Sequence, residues 1–217
     1  MKKLVTFLAI AAMGCCLSGC AALYNVKVNG YTEAGMARQI APGSSFYVIE
    51  NKEAKNPLLE KEVKDKINKL LESQGYPLTT FDKADYFLFF GYGLGEPRSV
   101  IIGIPDYAGG CGWGMSFVTP GSGCYRLAPP LVTYVPYTTL YDRWLLINVV
   151  EGPLFRTQKV SRPVWVGEAR STGASSDLRT VLTYLLVADF REFGKNTGKA
   201  VTVEIKENDP AVAVLSR

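Results

Sequence analysis

The sequence predicts an α+β domain. It is a two-layer sandwich in which a mixed, mostly antiparallel sheet carries two helices on one face, with a long Gly/Tyr/Pro-rich insert at its centre. Three observations lead to this expectation. Residues 57–73 and 177–193 each repeat apolar side chains at helical spacing. Both are bracketed by short runs of aromatic and β-branched residues that read as strands. Between the two strand–helix–strand units lies a stretch, residues 91–139, that fits neither pattern. The order is approximately β-α-β-β-β-α-β, a weak pseudo-repeat of pattern more than of residue identity. Two helices laid on one face of such a sheet bury both apolar stripes.

The elements follow in order. Residues 45–50 (SFYVIE) read as a strand. Asn56-Pro57 opens a helix, with Asn56 as the cap and Pro57 in the first turn. Leu59, Val63, Ile67, Leu70 and Leu71 form its buried stripe, charged residues lie between them, and Gly75 stops it. Residues 84–93 (ADYFLFFGYG) are apolar on both faces, as expected of a central strand. Residues 140–151 and 162–170 read as an antiparallel pair, with Val164, Val166 and Glu168 on one face. Ser175-Ser176-Asp177 starts the second helix, whose core side is Leu178, Leu182, Leu185 and Leu186, and Gly194 or Gly198 ends it. Residues 199–206 (KAVTVEIK) alternate as a last strand, and 207–217 read as a frayed tail.

The N-terminus carries a different message. Lys2 and Lys3 precede an apolar run, residues 4–17, which ends in Ser18-Gly19-Cys20. A basic start, a short apolar core and small residues before a cut make a secretory signal, here 1–19. The run is too short for a transmembrane helix, which needs about 20 apolar residues. Leu17-Ser18-Gly19-Cys20 resembles the lipobox of bacterial lipoproteins. That resemblance implies a lipid-modified Cys20 at the head of a tether over 20–41. Each buried acyl CH₂ contributes about 0.8 kcal/mol, so several chains on one cysteine hold firmly where one holds only marginally. Ala21 stands where an Asp would mark inner-membrane retention in enteric-type lipoproteins, so the resemblance implies the outer membrane.

Composition narrows the chemistry. The formal net charge is +4, and removing Lys2 and Lys3 brings it nearer to neutral, which gives no argument for nucleic-acid binding. The chain has no histidine, so Ser-His-Asp and Cys-His catalysis and His-ligated zinc fall away. It contains no Gly-x-Ser-x-Gly, Ser-x-x-Lys or phosphate-binding loop. The segment 91–96 (GYGLGE) places its third glycine wrongly for a dinucleotide fingerprint. Glu96 and Asp106 read as solvated loop acids, and Asp142 and Arg143 beside Trp144 as strand-edge polar residues. Neither a catalytic nor a metal site is expected, nor a cofactor. Of five cysteines, Cys15 and Cys16 leave with the signal and Cys20 is the lipidation candidate. Cys111 and Cys124 remain, without Cys-x-x-Cys spacing. In an exported chain they are expected to pair, closing a loop that contributes about 3 kcal/mol less any strain.

Three stretches of the core resemble a broad family of bacterial envelope lipoproteins defined as domain of unknown function 4136. They are residues 56–59 leading to Leu70 and Gly75-Tyr76, residues 84–88, and residues 145–150 leading to 163–167 (PVWVG). The likeness spans roughly residues 41–205. It departs where the family has Gly-Thr-Leu and this chain has Arg143-Trp144-Leu145. The family has no established catalytic residues, so the resemblance implies none here.

The insert at about 91–139 is the unusual part of the α/β domain, 42–206. A loop of that length without structure of its own is uncommon in a compact domain, and ordered long loops tend to carry function. Residues 100–104 and 131–137 are expected to pair as a hairpin arm. Tyr107, Trp113, Phe117, Tyr125 and Tyr134 offer large amphipathic contact surface for a protein or glycan partner. The same side chains could instead cover a sheet edge. The leading expectation is a non-enzymatic, lipid-anchored interaction or structural protein on the periplasmic face of the outer membrane. The alternative is a small-ligand or glycan-binding module built on the aromatic insert.

Overall fold

The computed structural model describes residues 23–33, 40–101 and 137–216. Its strands are β1 Leu23–Thr32, β2 Phe46–Ile49, β3 Tyr86–Leu94, β4 Arg98–Ile101, β5 Tyr137–Glu151, β6 Pro163–Gly173 and β7 Val201–Lys206. Its helices are α1 Pro57–Ser73, α2 Gly152–Gln158, α3 Leu178–Arg191 and α4 Pro210–Leu215. The strands form one open sheet in the order β2-β3-β5-β6-β1-β7, with β4 beside β5. Only the β2–β3 pair is parallel. This is the expected mostly antiparallel α+β sandwich.

The two predicted helices form because local capping and burial agree. Asn56 Oδ1 accepts from the Leu59 N–H at 3.1 Å, and Asp177 Oδ1 from the Thr180 N–H at 3.3 Å. At the end of α1 the N–H of Tyr76 bonds the Leu71 carbonyl and that of Gly75 the Glu72 carbonyl, both at 3.0 Å. This double closure needs a left-handed residue, and Gly75 supplies it at φ 82°. Val63, Ile67 and Leu71 of α1 and Leu182, Leu185 and Leu186 of α3 are sealed in one core with Val26, Val28, Leu88, Leu145, Ile147 and Val149 of the sheet. The helices run in the same direction: Arg179 meets Glu62, Lys66 meets Thr183, and Gln74 meets Phe190. On the other face, α2 and Phe81 cover only the β2–β3 end, where Phe87, Val150 and Phe155 cluster.

Three expectations are corrected. Where a tether over 20–41 is expected, Leu23–Thr32 is an inner strand between β6 and β7. Its Val26 and Val28 are fully buried, while Asn25 and Lys27 on the opposite face are exposed. Where a frayed tail over 207–217 is expected, Asp209 caps α4 by accepting from the Ala211 N–H at 2.9 Å, and Val212 and Leu215 are buried. Arg143, expected at a strand edge, is only 4% exposed. It lies at the same parity as Leu145, Ile147 and Val149, which places it on the helix-covered face.

The sheet comes closest to its helix layer at two glycines that are direct cross-strand partners, Gly30 and Gly167. A Cβ on Gly30 would collide with the Lys195 carbonyl, and one on Gly167 with the Trp165 ring and the Asp189 carboxyl. The same junction is tied by Trp165 Nε1 donating to Lys195 O at 3.0 Å and the Gly30 N–H donating to Thr197 Oγ1 at 3.1 Å.

Candidate functional site

A two-stranded ribbon flanks the insert. The ladder of β5 with β6 ends at Tyr141–Gly173, yet β5 extends back to Tyr137. There it pairs with β4, from Arg98–Leu140 to Ile101–Tyr137. Between Leu94–Arg143 and Arg98–Leu140 the register slips by one residue, so β4 continues β3 beyond an irregularity at 95–97. The Gly95 N–H still donates to the Asp142 carbonyl at 2.7 Å. Of the expected pairing of 100–104 with 131–137, Ile101 stands opposite Tyr137, next to Val100 opposite Thr138, and the rest lies outside the described residues. The insert proper narrows from 91–139 to 102–136.

Three strands fasten that base. The Asp142 carboxylate accepts from Arg98 of β4 at 2.9 Å and from the Thr172 hydroxyl of β6 at 2.6 Å. The Thr172 hydrogen bond, with Arg98 behind it, holds the Asp142 carboxyl below the usual carboxylate range. Beside this clamp, on the face without α1 and α3, the Trp144 ring lies over β3. A Cβ on Gly93 would come within 2.8 Å of it, and one on Gly91 within 3.7 Å. The Gly-Tyr-Gly of residues 91–93 is thus a flat seat for an indole. Trp144 remains 38% exposed.

The interior holds polar groups that sequence reasoning misses. Arg143 donates Nη1 to the Ser175 carbonyl at 3.3 Å, while its Nε and the Ser171 hydroxyl have no partner among the described residues. The guanidinium fits because residue 173 is glycine, where a Cβ would stand 2.6 Å from Nη2. Lys66, 7% exposed, is satisfied by Glu62 at 2.8 Å and Thr183 Oγ1 at 2.9 Å. Asp189 is fully buried, and neither carboxylate oxygen has a hydrogen-bond partner. Burial pushes its carboxyl well above the usual range, and the charge of Glu168 adds to that. The sequence does carry a signal for Asp189: it stands four residues after Leu185 and seven after Leu182, on the core stripe.

Between α1, α3 and α4 run two adjoining shallow grooves that share Glu62, Lys66, Arg179 and Ser216. Of the charges the two grooves share, Glu62 pairs with both Lys66 and Arg179. Among the described residues no three His, Cys, Asp or Glu side chains group closely enough to hold a metal ion. Among the same residues no helix is long and apolar enough to cross a membrane. The predicted site residues Cys20, Tyr107, Cys111, Trp113, Phe117, Cys124, Tyr125 and Tyr134 all lie outside the described residues.

No family model and no curated protein matches the chain. Among solved structures it is similar to a PDZ domain protein from Parabacteroides distasonis, at 13% identity and a TM-score of 0.48. That match covers 86% of this chain but 40% of the other, so the chain spans two fifths of that protein. It is also similar to the PelC dodecamer from Paraburkholderia phytofirmans, at 10% identity and a TM-score of 0.43 over 79% of this chain and 99% of that one. Likeness at this level assigns neither a family nor an activity.

Proposed function

We propose that this chain is a lipid-anchored, non-enzymatic component of the bacterial outer membrane. It acts on the periplasmic face as an interaction or structural protein. The observation that carries the reading is the ribbon. β4 and the start of β5 extend past the β5–β6 ladder as a two-stranded ribbon to which residues 102–136 are joined, while the domain behind it is filled by packing, caps and turns. A recognition loop held on a rigid scaffold suits an adaptable contact surface. The anchor rests on Leu17-Ser18-Gly19-Cys20, and β1 begins at Leu23, so the folded domain starts almost at the modified cysteine.

The test has two readouts. Cys20→Ser is expected to release the mature domain from the membrane fraction or to stall the precursor. A variant that is processed and stays membrane-bound like wild type refutes the anchor. Capture from detergent-solubilised envelopes is expected to return a specific protein. Retention on cell-wall or polysaccharide resin, with no protein captured, replaces this reading with the glycan-binding one.

A further inference from the structure

The direction in which the ribbon points relative to the start of β1 carries an orientation. Extending the β1–β6 and β5–β6 registers brings Leu23 level with Leu140, the residue paired with Arg98. Ile101 and Tyr137 stand three residues farther out at that same end, about 10 Å at the rise of a strand. Cys20 precedes Leu23 by three residues, a reach of at most about 11 Å. The ribbon end and the anchor therefore reach similar heights beyond the sheet.

The helices agree with this polarity. Tyr24, at the start of β1, stacks on Tyr184 midway along α3 at 3.8 Å. Gly30, near the end of β1, meets Lys195 beyond the end of α3. α3 thus runs with β1, and α1 runs with α3. The first turn of α1 lies at the anchor end and bears Leu58, an apolar side chain 81% exposed. Tyr137 is 69% exposed and Leu23 48%.

We infer that the end of the domain bearing Leu23, Leu58 and Tyr137 rests on the lipid headgroup interface to which Cys20 ties it. This rests on the anchored reading above. The occupant is lipid, and two further observations favour it. A short link cannot carry a domain far from its anchor, so some surface must lie against the bilayer. The end nearest Cys20 exposes Leu23, Leu58 and Tyr137, and tyrosine is enriched at the membrane–water boundary. The contact is led by apolar side chains. Of the cations at this end, Arg98 pairs with Asp142 at 2.9 Å and Arg179 with Glu62 at 2.7 Å, while Lys206, opposite Leu23, has no ion pair among the described residues and adds attraction to anionic headgroups.

The experiment places a photo-crosslinking amino acid at Leu58 or Tyr137 in the full-length chain, with Tyr31 and Val160 as controls. The controls are 51% and 47% exposed and lie toward the opposite end of the sheet. All four positions are at the surface, so the fold tolerates the change. After irradiation of isolated membranes, positions 58 and 137 are expected to label phospholipid several-fold more than 31 and 160. Equal or reversed labelling, or none at any position in membrane-bound protein, overturns this orientation and leaves the anchor standing. Protein absent from the membrane fraction overturns both.

Discussion

Replacing Asp189 by Asn separates a buried carboxyl from its charge. Asp189 has no exposed surface, lies against Gly167 and has no partner for either oxygen. The interior cations are committed elsewhere, Lys66 to Glu62 and Thr183 and Arg143 to the Ser175 carbonyl. The carboxyl is therefore held in its neutral form in the folded chain, well above the ordinary value of 3.8 at which the unfolded chain releases its proton. Between those two values the native state binds one proton more than the unfolded state. Stability is then fully present below the ordinary value and falls as pH rises, until the folded value is reached. Above the ordinary value the slope approaches about 1.4 kcal/mol per pH unit for as long as the folded carboxyl keeps its proton. The asparagine side chain is nearly isosteric with the acid and does not titrate. Urea unfolding of wild type and Asp189→Asn above the ordinary value is expected to show the wild-type curve falling relative to the variant with that slope. All other titrating groups are common to both proteins and cancel in the difference. Parallel curves would refute the buried neutral acid.

Other outcomes follow from the packing. Gly167→Ala is expected to cost about 2 kcal/mol in urea unfolding, because its Cβ would collide with both Trp165 and Asp189; a loss near zero would mean the junction is slack. Ile67→Asp and Leu182→Asp, each at a position with no exposure, are expected to cost about 3 kcal/mol or more, and a loss under about 1 kcal/mol at both would remove them from the core. Thiol labelling of the exported protein without reductant is expected to find neither Cys111 nor Cys124 free; full labelling of both in the folded chain would refute their pairing.

The parts of the fold that are legible in the sequence are those whose signals are local. α1 occupies Pro57–Ser73 as predicted because Asn56-Pro57 and Gly75 set its two ends by short-range signals. β3 reads as central because Leu88 packs under the helices and Phe87 under α2, so both faces have to be apolar. β1 escapes notice because half of it faces solvent as Asn25, Lys27 and Asn29, and one inner position is Gly30. The reason for that glycine, the approach of Lys195, lies 165 residues away. The tail escapes although Asp209-Pro210 repeats the signal of Asn56-Pro57, since six residues are too few to show a helical period. Arg143 misleads by its charge, whereas its place in the alternation with Leu145 and Ile147 points inward. For the candidate site, the run of β-formers at 131–137 lies outside the described residues except for Tyr137, and the clamp of Arg98, Asp142 and Thr172 joins three strands and has no local signature.

The central claim is that recognition belongs to the arm and not to the sandwich that carries it. Replacing residues 102–136 with a short Gly-Ser turn between Ile101 and Tyr137 tests it most directly, because those residues are already cross-strand partners. The shortened protein is expected to keep its thermal midpoint and its membrane attachment while losing capture of its envelope partner. Capture that survives the replacement would place recognition on the sheet or helices and contradict the account. A domain that no longer folds would contradict it as well, by making the insert part of the core.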